Sequence, residues 1–132
     1  MSFVKEFSVK TSSRTQFVNI DHIVRQAVRE SDIKEGMAII YVPHTTAAVT
    51  INENADPDVV RDITTEMDKL VPWSDNYHHM EGNSAAHIKS SLFGVSETVI
   101  ITGGRLLLGT WQSIFFCEFD GPRSRTVIVK VV

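Results

Sequence analysis

Histidine is the residue type whose spacing points most directly to chemistry in this chain. His44 ends an apolar segment in the sequence PHTTA, His79 lies in a polar loop, and His87 follows eight residues later in a predicted helix. Imidazole is the commonest zinc ligand near neutral pH, and a catalytic zinc takes three protein ligands and leaves one position open. The three histidines are therefore candidate metal ligands. Hydrogen-bonded loop histidines remain the alternative, because the chain has neither an HExxH motif nor a pair of CxxC motifs.

The orientation of His87 is predicted from helix periodicity. A helix capped by Asn83 is expected to run to Phe93, just before a glycine. If Ile88 and Leu92 form its buried stripe, His87 points well away from that stripe, at about 100° of rotation per residue. We therefore expect His87 to face solvent or a cleft.

Carboxylates near strand ends are candidates for proton transfer. Glu118 emerges on an otherwise apolar face of the segment TWQSIFFCEFD, and a buried carboxylate must be paired, protonated or metal-bound. A salt bridge to a downstream arginine and a catalytic role with a raised pKa are the two interpretations. Asn52 and Glu53 end another strand, just before a helix start at Asp56. Capping accounts for Asp56 but less well for the other two, so Asn52 and Glu53 join the catalytic candidates.

A phosphate-binding segment is predicted around Arg105. This arginine follows two glycines, where the backbone can approach a ligand closely, and Thr110 and Gln112 come soon after it. Hydroxyls, free backbone N–H groups and a guanidinium suit a phosphate. There is no P-loop and no GxGxxG, so a nucleotide-binding fingerprint is absent.

Composition limits the function classes. The chain has 132 residues and a formal net charge of −3, which predicts a single domain (residues 1–132) and argues against general nucleic-acid binding. Eight acids and two bases lie between residues 53 and 81. No apolar run approaches the length of a membrane span, and no secretory signal precedes the first strand. With a single cysteine, these features lead us to expect a cytoplasmic protein without membrane contact.

The predicted order of elements is ββαββααβββ. Residues 3–10 and the segment RTQFVNI are expected to form a hairpin across the polar turn at residues 11–13. A helix starts at Pro57, capped by Asp56, and stops at Pro72. Strands at both ends with helices between them predict an α+β fold with mostly antiparallel sheet and about three helices.

Four segments of the chain resemble the YjbQ-like family, which carries the label secondary thiamine-phosphate synthase enzyme. They are PHTTAAVTINENADPDV, NYHHMEGNSAAHIKSSLFG, GRLLLGTWQSIFFCEFDGPRSR and VIVKVV, and the likeness extends from about residue 11 to residue 132. The resemblance implies two packed antiparallel sheets, a homotrimer, and a divalent metal on His44, His79 and His87. The pocket residues it implies are Thr45, Asn52, Glu53, Asn83, Arg105, Thr110, Gln112 and Glu118.

The implied activity joins hydroxymethylpyrimidine diphosphate to thiazole phosphate. Diphosphate departure normally uses Mg²⁺ with oxygen ligands, whereas three imidazoles suit Zn²⁺, Fe²⁺ or Ni²⁺. We therefore expect the thiamine-type reaction to be weak or a side activity, with Arg105 and the metal holding the diphosphate and Glu118 or Glu53 moving a proton. The alternatives are a metal-dependent hydrolase of a small phosphorylated metabolite, with the same carboxylates as base, and a non-catalytic trimer that binds a metabolite or metal.

Overall fold

The computed structural model describes all 132 residues, and three helices and two sheets make up the chain. The elements in chain order are β1 (Phe3–Lys10), β2 (Gln16–Asn19), α1 (Asp21–Ser31), β3 (Gly36–Tyr41), β4 (Ala47–Glu53), α2 (Pro57–Leu70), α3 (Ser84–Phe93), β5 (Ser96–Thr102), β6 (Arg105–Leu106), β7 (Gln112–Glu118) and β8 (Ser124–Val131). The two-residue strand β6 is an addition to the predicted order.

Every strand pair in the two sheets is antiparallel. The larger sheet has the order β1-β8-β3-β5-β6, and the smaller one has the order β2-β7-β4. The predicted α+β fold with two antiparallel sheets and three helices is confirmed.

The predicted hairpin between the first two strands is wrong. Strand β1 pairs with β8, so that Phe3 lies opposite Val131, whereas β2 pairs with β7 in the other sheet. The polar segment between them crosses from one sheet to the other, and the Thr11 N–H donates to the carbonyl of Arg123 at 3.0 Å. Strand β1 pairs with β8 along all eight of its residues, whereas a hairpin with the four-residue β2 would pair at most four, so the distant partner satisfies more of its backbone hydrogen-bonding groups.

One hydrophobic core joins the two sheets and α1. Ile40, Val127 and Val129 of the larger sheet lie in the same buried cluster as Val49 and Phe116 of the smaller one. Helix α1 adds the residues of its apolar stripe, which are Ile23, Val24, Ala27 and Val28. The core thereby fixes the ends of β3, β4 and β8, where the polar residues described below emerge.

Helix α2 begins as predicted but buries little. The Asp56 carboxylate accepts the N–H of Asp58 at 2.9 Å, and Pro57 occupies the first turn. No side chain of α2 itself is buried, and Leu70, at the end of its apolar stripe, is 67% exposed.

No helix in the chain is long and apolar enough to cross a membrane.

The predicted buried stripe of α3 is wrong. Ile88 and Leu92 are exposed, and the buried face consists instead of Ala85, Ala86, Lys89 and Ser90. Small side chains let α3 approach β4 closely, and the Ser90 hydroxyl donates to the carbonyl of Ala47 at 2.6 Å. His87 is half-buried at the edge of this contact and faces a cleft.

Candidate functional site

A polar cavity of about 520 Å³ lies where the β3–β4 loop, the start of α3 and the β7–β8 loop meet. The three candidate histidines line it, together with Thr45 and Asn83. Apart from Pro43, every side chain in its wall is polar or charged. We call it the histidine pocket.

His79 and His87 lie side by side in the pocket. Their ring centres are 5.4 Å apart and the ring planes are nearly perpendicular, at 85°. Two imidazoles bound to one zinc ion at a tetrahedral angle would have ring centres about 5 Å apart, given a Zn–N distance of about 2.0 Å. The ring spacing of this pair is compatible with two ligands of one ion, whereas the neighbouring His78 does not line the pocket.

His44 is held differently. The backbone N–H of Thr126 donates to its Nε2 at 3.0 Å, at a point where β8 has run past the end of β3. Burial lowers the pKa of His44, and the charge of Arg125 lowers that pKa further. In the neutral ring, Nε2 uses its lone pair for this hydrogen bond, so Nδ1 carries the proton and is a donor.

The predicted three-histidine metal site does not fit this arrangement. No group of three or more His, Cys, Asp or Glu side chains is placed to hold one ion. His44 presents an N–H rather than a free lone pair, and a metal ligand needs the lone pair. The pair His79 and His87 has the ring spacing of two ligands of one ion, but two donors do not complete the three-ligand set of a catalytic zinc.

Glu118 lies behind the pocket and is fully buried. Arg125 Nε donates to its Oε1 at 2.8 Å, and the second guanidinium nitrogen Nη2 donates to Oε2. The Thr11 hydroxyl and the Asp120 N–H donate to the same carboxylate at 2.8 and 2.9 Å. Burial raises the pKa of Glu118, but these hydrogen bonds outweigh burial and hold the pKa below its ordinary value. The predicted upward pKa shift is therefore wrong, and Glu118 is an ion-pair partner that orients Arg125.

Asn83 was predicted to cap α3, but its side chain makes no cap hydrogen bond. Its Nδ2 instead donates to Asp120 at 2.9 Å and to Glu81 at 3.3 Å. Its Oδ1 is the one buried side-chain oxygen or nitrogen in the chain without a hydrogen-bond partner. The residue is 6% exposed and lines the pocket, so a buried acceptor there lacks a donor.

Four charged residues also line the pocket, which are Glu81, Asp120, Arg123 and Arg125. Sequence reasoning missed Glu81 and Asp120, and it gave Arg123 and Arg125 as anion candidates that by default are solvated. Arg123 Nη2 donates to Asp120 Oδ2 at 3.0 Å, which fixes this guanidinium at the pocket wall. The segment DGPRSR contains three of these four residues. The one indication of them in the sequence was a turn that ends in two arginines.

The other predicted site residues lie outside the histidine pocket. Asn52 and Glu53 are at the far end of β4, opposite Ser113 and Gln112. Gln112 accepts the Gly109 N–H at 2.8 Å, and Thr110 precedes it on the same turn. Arg105 lines a separate cavity with two arginines of α1. Within one chain, the predicted site residues are therefore divided among the histidine pocket, the far end of β4 and the cavity beside Arg105.

Comparison with known proteins identifies one family. The family described as UPF0047 protein YjbQ-like matches residues 5–132. A UPF0047 protein of Methanocaldococcus jannaschii is 54% identical over 127 residues, which cover 96% of this chain and 92% of that protein. The UPF0047 protein YugU of Bacillus subtilis is 51% identical over 130 residues, covering 98% of each chain.

Solved structures agree with the computed fold. A crystal structure of an uncharacterised conserved YjbQ/UPF0047 family protein from Clostridium acetobutylicum has a TM-score of 0.96 and 56% identity, covering 97% of this chain and 99% of that one. A YbjQ-like protein of unknown function from Sulfolobus solfataricus has a TM-score of 0.95 at 32% identity, covering 99% of this chain and 96% of that one.

Proposed function

Since the chain belongs to the UPF0047 protein YjbQ-like family, we propose that its histidine pocket is the active site of an enzyme that hydrolyses a small phosphorylated metabolite with a divalent metal ion. The observation that carries this proposal is the convergence of three histidines and Arg123 from separate segments on one cavity, whose other lining residues, except Pro43, are polar or charged. Convergent polar and titratable groups in a cleft are typical of acid–base catalysis.

The composition of the pocket wall favours hydrolysis over the thiamine-type condensation. That condensation must hold a pyrimidine and a thiazole, and heterocycles are normally bound by apolar or aromatic side chains. Apart from Pro43 and the three imidazoles, the pocket wall offers no such side chain from this chain, and it has no Phe, Tyr, Trp, Leu, Ile, Val or Met. A small, strongly polar substrate is the better match, and we expect thiamine-type turnover to be weak.

Each polar group has a distinct proposed role. His79 and His87 would hold the metal ion, which supplies Lewis-acid chemistry when bound. His44 donates Nδ1–H toward a substrate oxygen, because its other nitrogen is fixed by Thr126. Arg123 binds the phosphate group, and its hydrogen bond to Asp120 fixes its position.

Glu81 is the proposed general base. It is an exposed carboxylate at the pocket, and its one side-chain hydrogen bond is the 3.3 Å contact from Asn83. Glu118 is fully buried behind Arg125, and Glu53 lies at the other end of β4. Glu81 therefore replaces both as the carboxylate that can reach a water molecule in the pocket.

Steady-state kinetics on a panel of small phosphate monoesters would test this function. We expect His87→Ala to lower kcat at least about 100-fold, since metal-ion chemistry acts on charge that develops in the transition state. His78→Ala is the matched control and should retain the wild-type kcat. Tight binding of a phosphorylated compound without turnover of any would favour the non-catalytic alternative and overturn the enzymatic proposal.

A further inference from the structure

We propose that the cavity between α1 and the β5–β6 turn is a second anion site, which binds a diphosphate group. The cavity has a volume of about 440 Å³ and is lined by Arg25, Val28, Arg29, Gly104, Arg105 and Leu106. Three of these six residues are arginines. The cavity shares no lining residue with the histidine pocket, so the two sites are built from different parts of the fold.

The three guanidinium groups come from two rigid elements. Arg25 and Arg29 are one helical turn apart on α1 and therefore lie on the same face. Arg105 begins β6, immediately after a turn formed by two glycines with positive φ, and α1 packs against this strand. Val28, which is buried, and Leu106, which is half-buried, form an apolar floor between them. The helix and the hairpin thus bring three positive charges to one concave surface.

Two of these three arginines lack a direct partner. Arg29 and Arg105 make no side-chain hydrogen bond or ion pair, whereas Arg25 lies 4.0 Å from Asp21. Asp21 already accepts the Ile114 N–H at 2.7 Å. The Glu35 carboxylate lies at the turn before Arg105, where it accepts the Gly103 N–H at 2.9 Å. Like charges one turn apart on a helix destabilise it. A bound anion would remove this repulsion.

Arg29 has one carboxylate nearby on α1, but that group is already engaged. Glu30 accepts from Lys5 at 2.9 Å and from Gln26 at 2.8 Å, and its pKa is lowered chiefly by the Lys5 hydrogen bond. The charge of Arg29 lowers the pKa of Glu30 as well, so Glu30 offsets part of the charge of Arg29, but its hydrogen bonds go to other residues.

A lysine lies over the turn beside the cavity. The Gly104 N–H donates to the carbonyl of Lys34 at 3.0 Å, and a Cβ at Gly104 would lie 3.1 Å from the Lys34 side chain. The Lys34 stem therefore lies across the glycine, and its ammonium group is paired with Asp32 at 3.6 Å. A glycine with φ of +74° is required here both for the backbone conformation and for this close approach.

The number and type of cations indicate the ligand. A guanidinium forms two parallel hydrogen bonds to a phosphate group, so three of them match two linked phosphates better than one. The volume accommodates a diphosphate, and the apolar floor could contact an organic group attached to it. Free pyrophosphate and a diphosphate ester share this chemistry. A long nucleic acid does not suit a chain with a net charge of −3.

Isothermal titration calorimetry of the full chain with inorganic pyrophosphate would test the proposal. We expect Arg29→Gln and Arg105→Gln each to weaken binding at this site about tenfold or more, because each removes charge-assisted hydrogen bonds. Arg61→Gln on α2 is the matched control, since Arg61 is exposed and paired with Asp58 at 3.1 Å, and it should leave the affinity unchanged. All three arginines are exposed, so the variants should fold, and circular dichroism would check this.

Repeating the titrations in a His87→Ala background separates this site from the histidine pocket. Arg105-dependent pyrophosphate binding should persist there, and it should persist whether or not the proposed hydrolase activity is found. Affinity for ADP equal to that for pyrophosphate would identify the diphosphate as the whole ligand. Tighter ADP binding would identify a diphosphate ester. The absence of pyrophosphate binding at millimolar concentration, or wild-type affinity in both arginine variants, would overturn the proposal. So would a change of oligomeric state in those variants without a change in affinity.

Discussion

The hydrogen bond from the Thr126 N–H to His44 links one imidazole to the folded state of the larger sheet. Burial and the nearby Arg125 hold the pKa of His44 below its unfolded value of about 6.5. As pH falls from above 6.5 toward the folded pKa, the unfolded chain takes up a proton that the folded chain does not. The stability contributed by neutral His44 is therefore fully present above pH 6.5 and is lost as the pH falls from 6.5 to the folded pKa.

We accordingly expect the urea midpoint to be lower at pH 5.5 than at pH 7.5. The decrease should be smaller in His44→Gln, because glutamine can still accept the Thr126 N–H but does not titrate. His22→Gln replaces an exposed histidine of α1, and its urea midpoint should decrease by the same amount as that of the wild type. An identical pH dependence in His44→Gln and the wild type would contradict this assignment.

The ion pair of Glu118 and Arg125 is buried on both sides, so removing one charge leaves the other without compensation. We expect Glu118→Gln to lower the free energy of unfolding by about 3–5 kcal/mol, measured by chemical denaturation. Asp58→Asn removes an exposed ion pair and should cost less than about 1 kcal/mol. Equal effects of the two substitutions would show that Glu118 is not the anchor of Arg125.

Metal content distinguishes the histidines from one another. We expect elemental analysis of purified protein to give about one divalent transition ion per chain, lost in His79→Ala and His87→Ala and retained in His78→Ala. Because His44 accepts a backbone N–H, His44→Gln should also retain the ion. Loss of metal in His44→Gln would instead favour the three-histidine ligand set implied by the family resemblance. Equal metal content in His87→Ala and the wild type would remove the metal proposal.

At the scale of elements, sequence periodicity predicted correctly those helix faces whose packing depends on large apolar side chains. The stripe of α1 and the start of α2 were predictable, since Val24 and Val28 are buried and Pro57 with Asp56 marks a helix start. In α3 the same reasoning failed, because small residues and a hydroxyl form the contact with β4. Ser90 is buried there although its type gave no indication of it.

The site was predictable only in part, for a similar reason. His44, His79 and His87 were found from residue type and local position, and the fold brings them to one cavity. The link between Glu118 and Thr11 spans 107 residues in sequence, and local spacing cannot reveal a contact of that range. Arg105 and the three histidines lie in different cavities because of the strand order in the sheets, and the sequence pattern left that order open.

At the scale of the whole molecule, α2 and α3 expose apolar surface that one chain does not cover. Leu70 and Leu92 are 67% and 64% exposed, and no residue of α2 is buried. We expect a homotrimer, so light scattering should give about three times the chain mass of 14.8 kDa. Leu92→Glu should shift the mass toward one chain, whereas Val4→Glu on β1, 58% exposed, should not. A wild-type mass near that of one chain would reject the trimer.

The position of β8 between β1 and β3 has a consequence for synthesis on the ribosome. Strand β8, which follows the other seven strands in chain order, is an interior strand of the larger sheet, and it separates β1 from the rest of that sheet. Until it leaves the exit tunnel, the nascent chain carries open strand edges and an uncovered core face, which invite association with other chains. Folding of the larger sheet is therefore completed only after β8 is released, and it depends on contacts of long sequence separation, which form slowly.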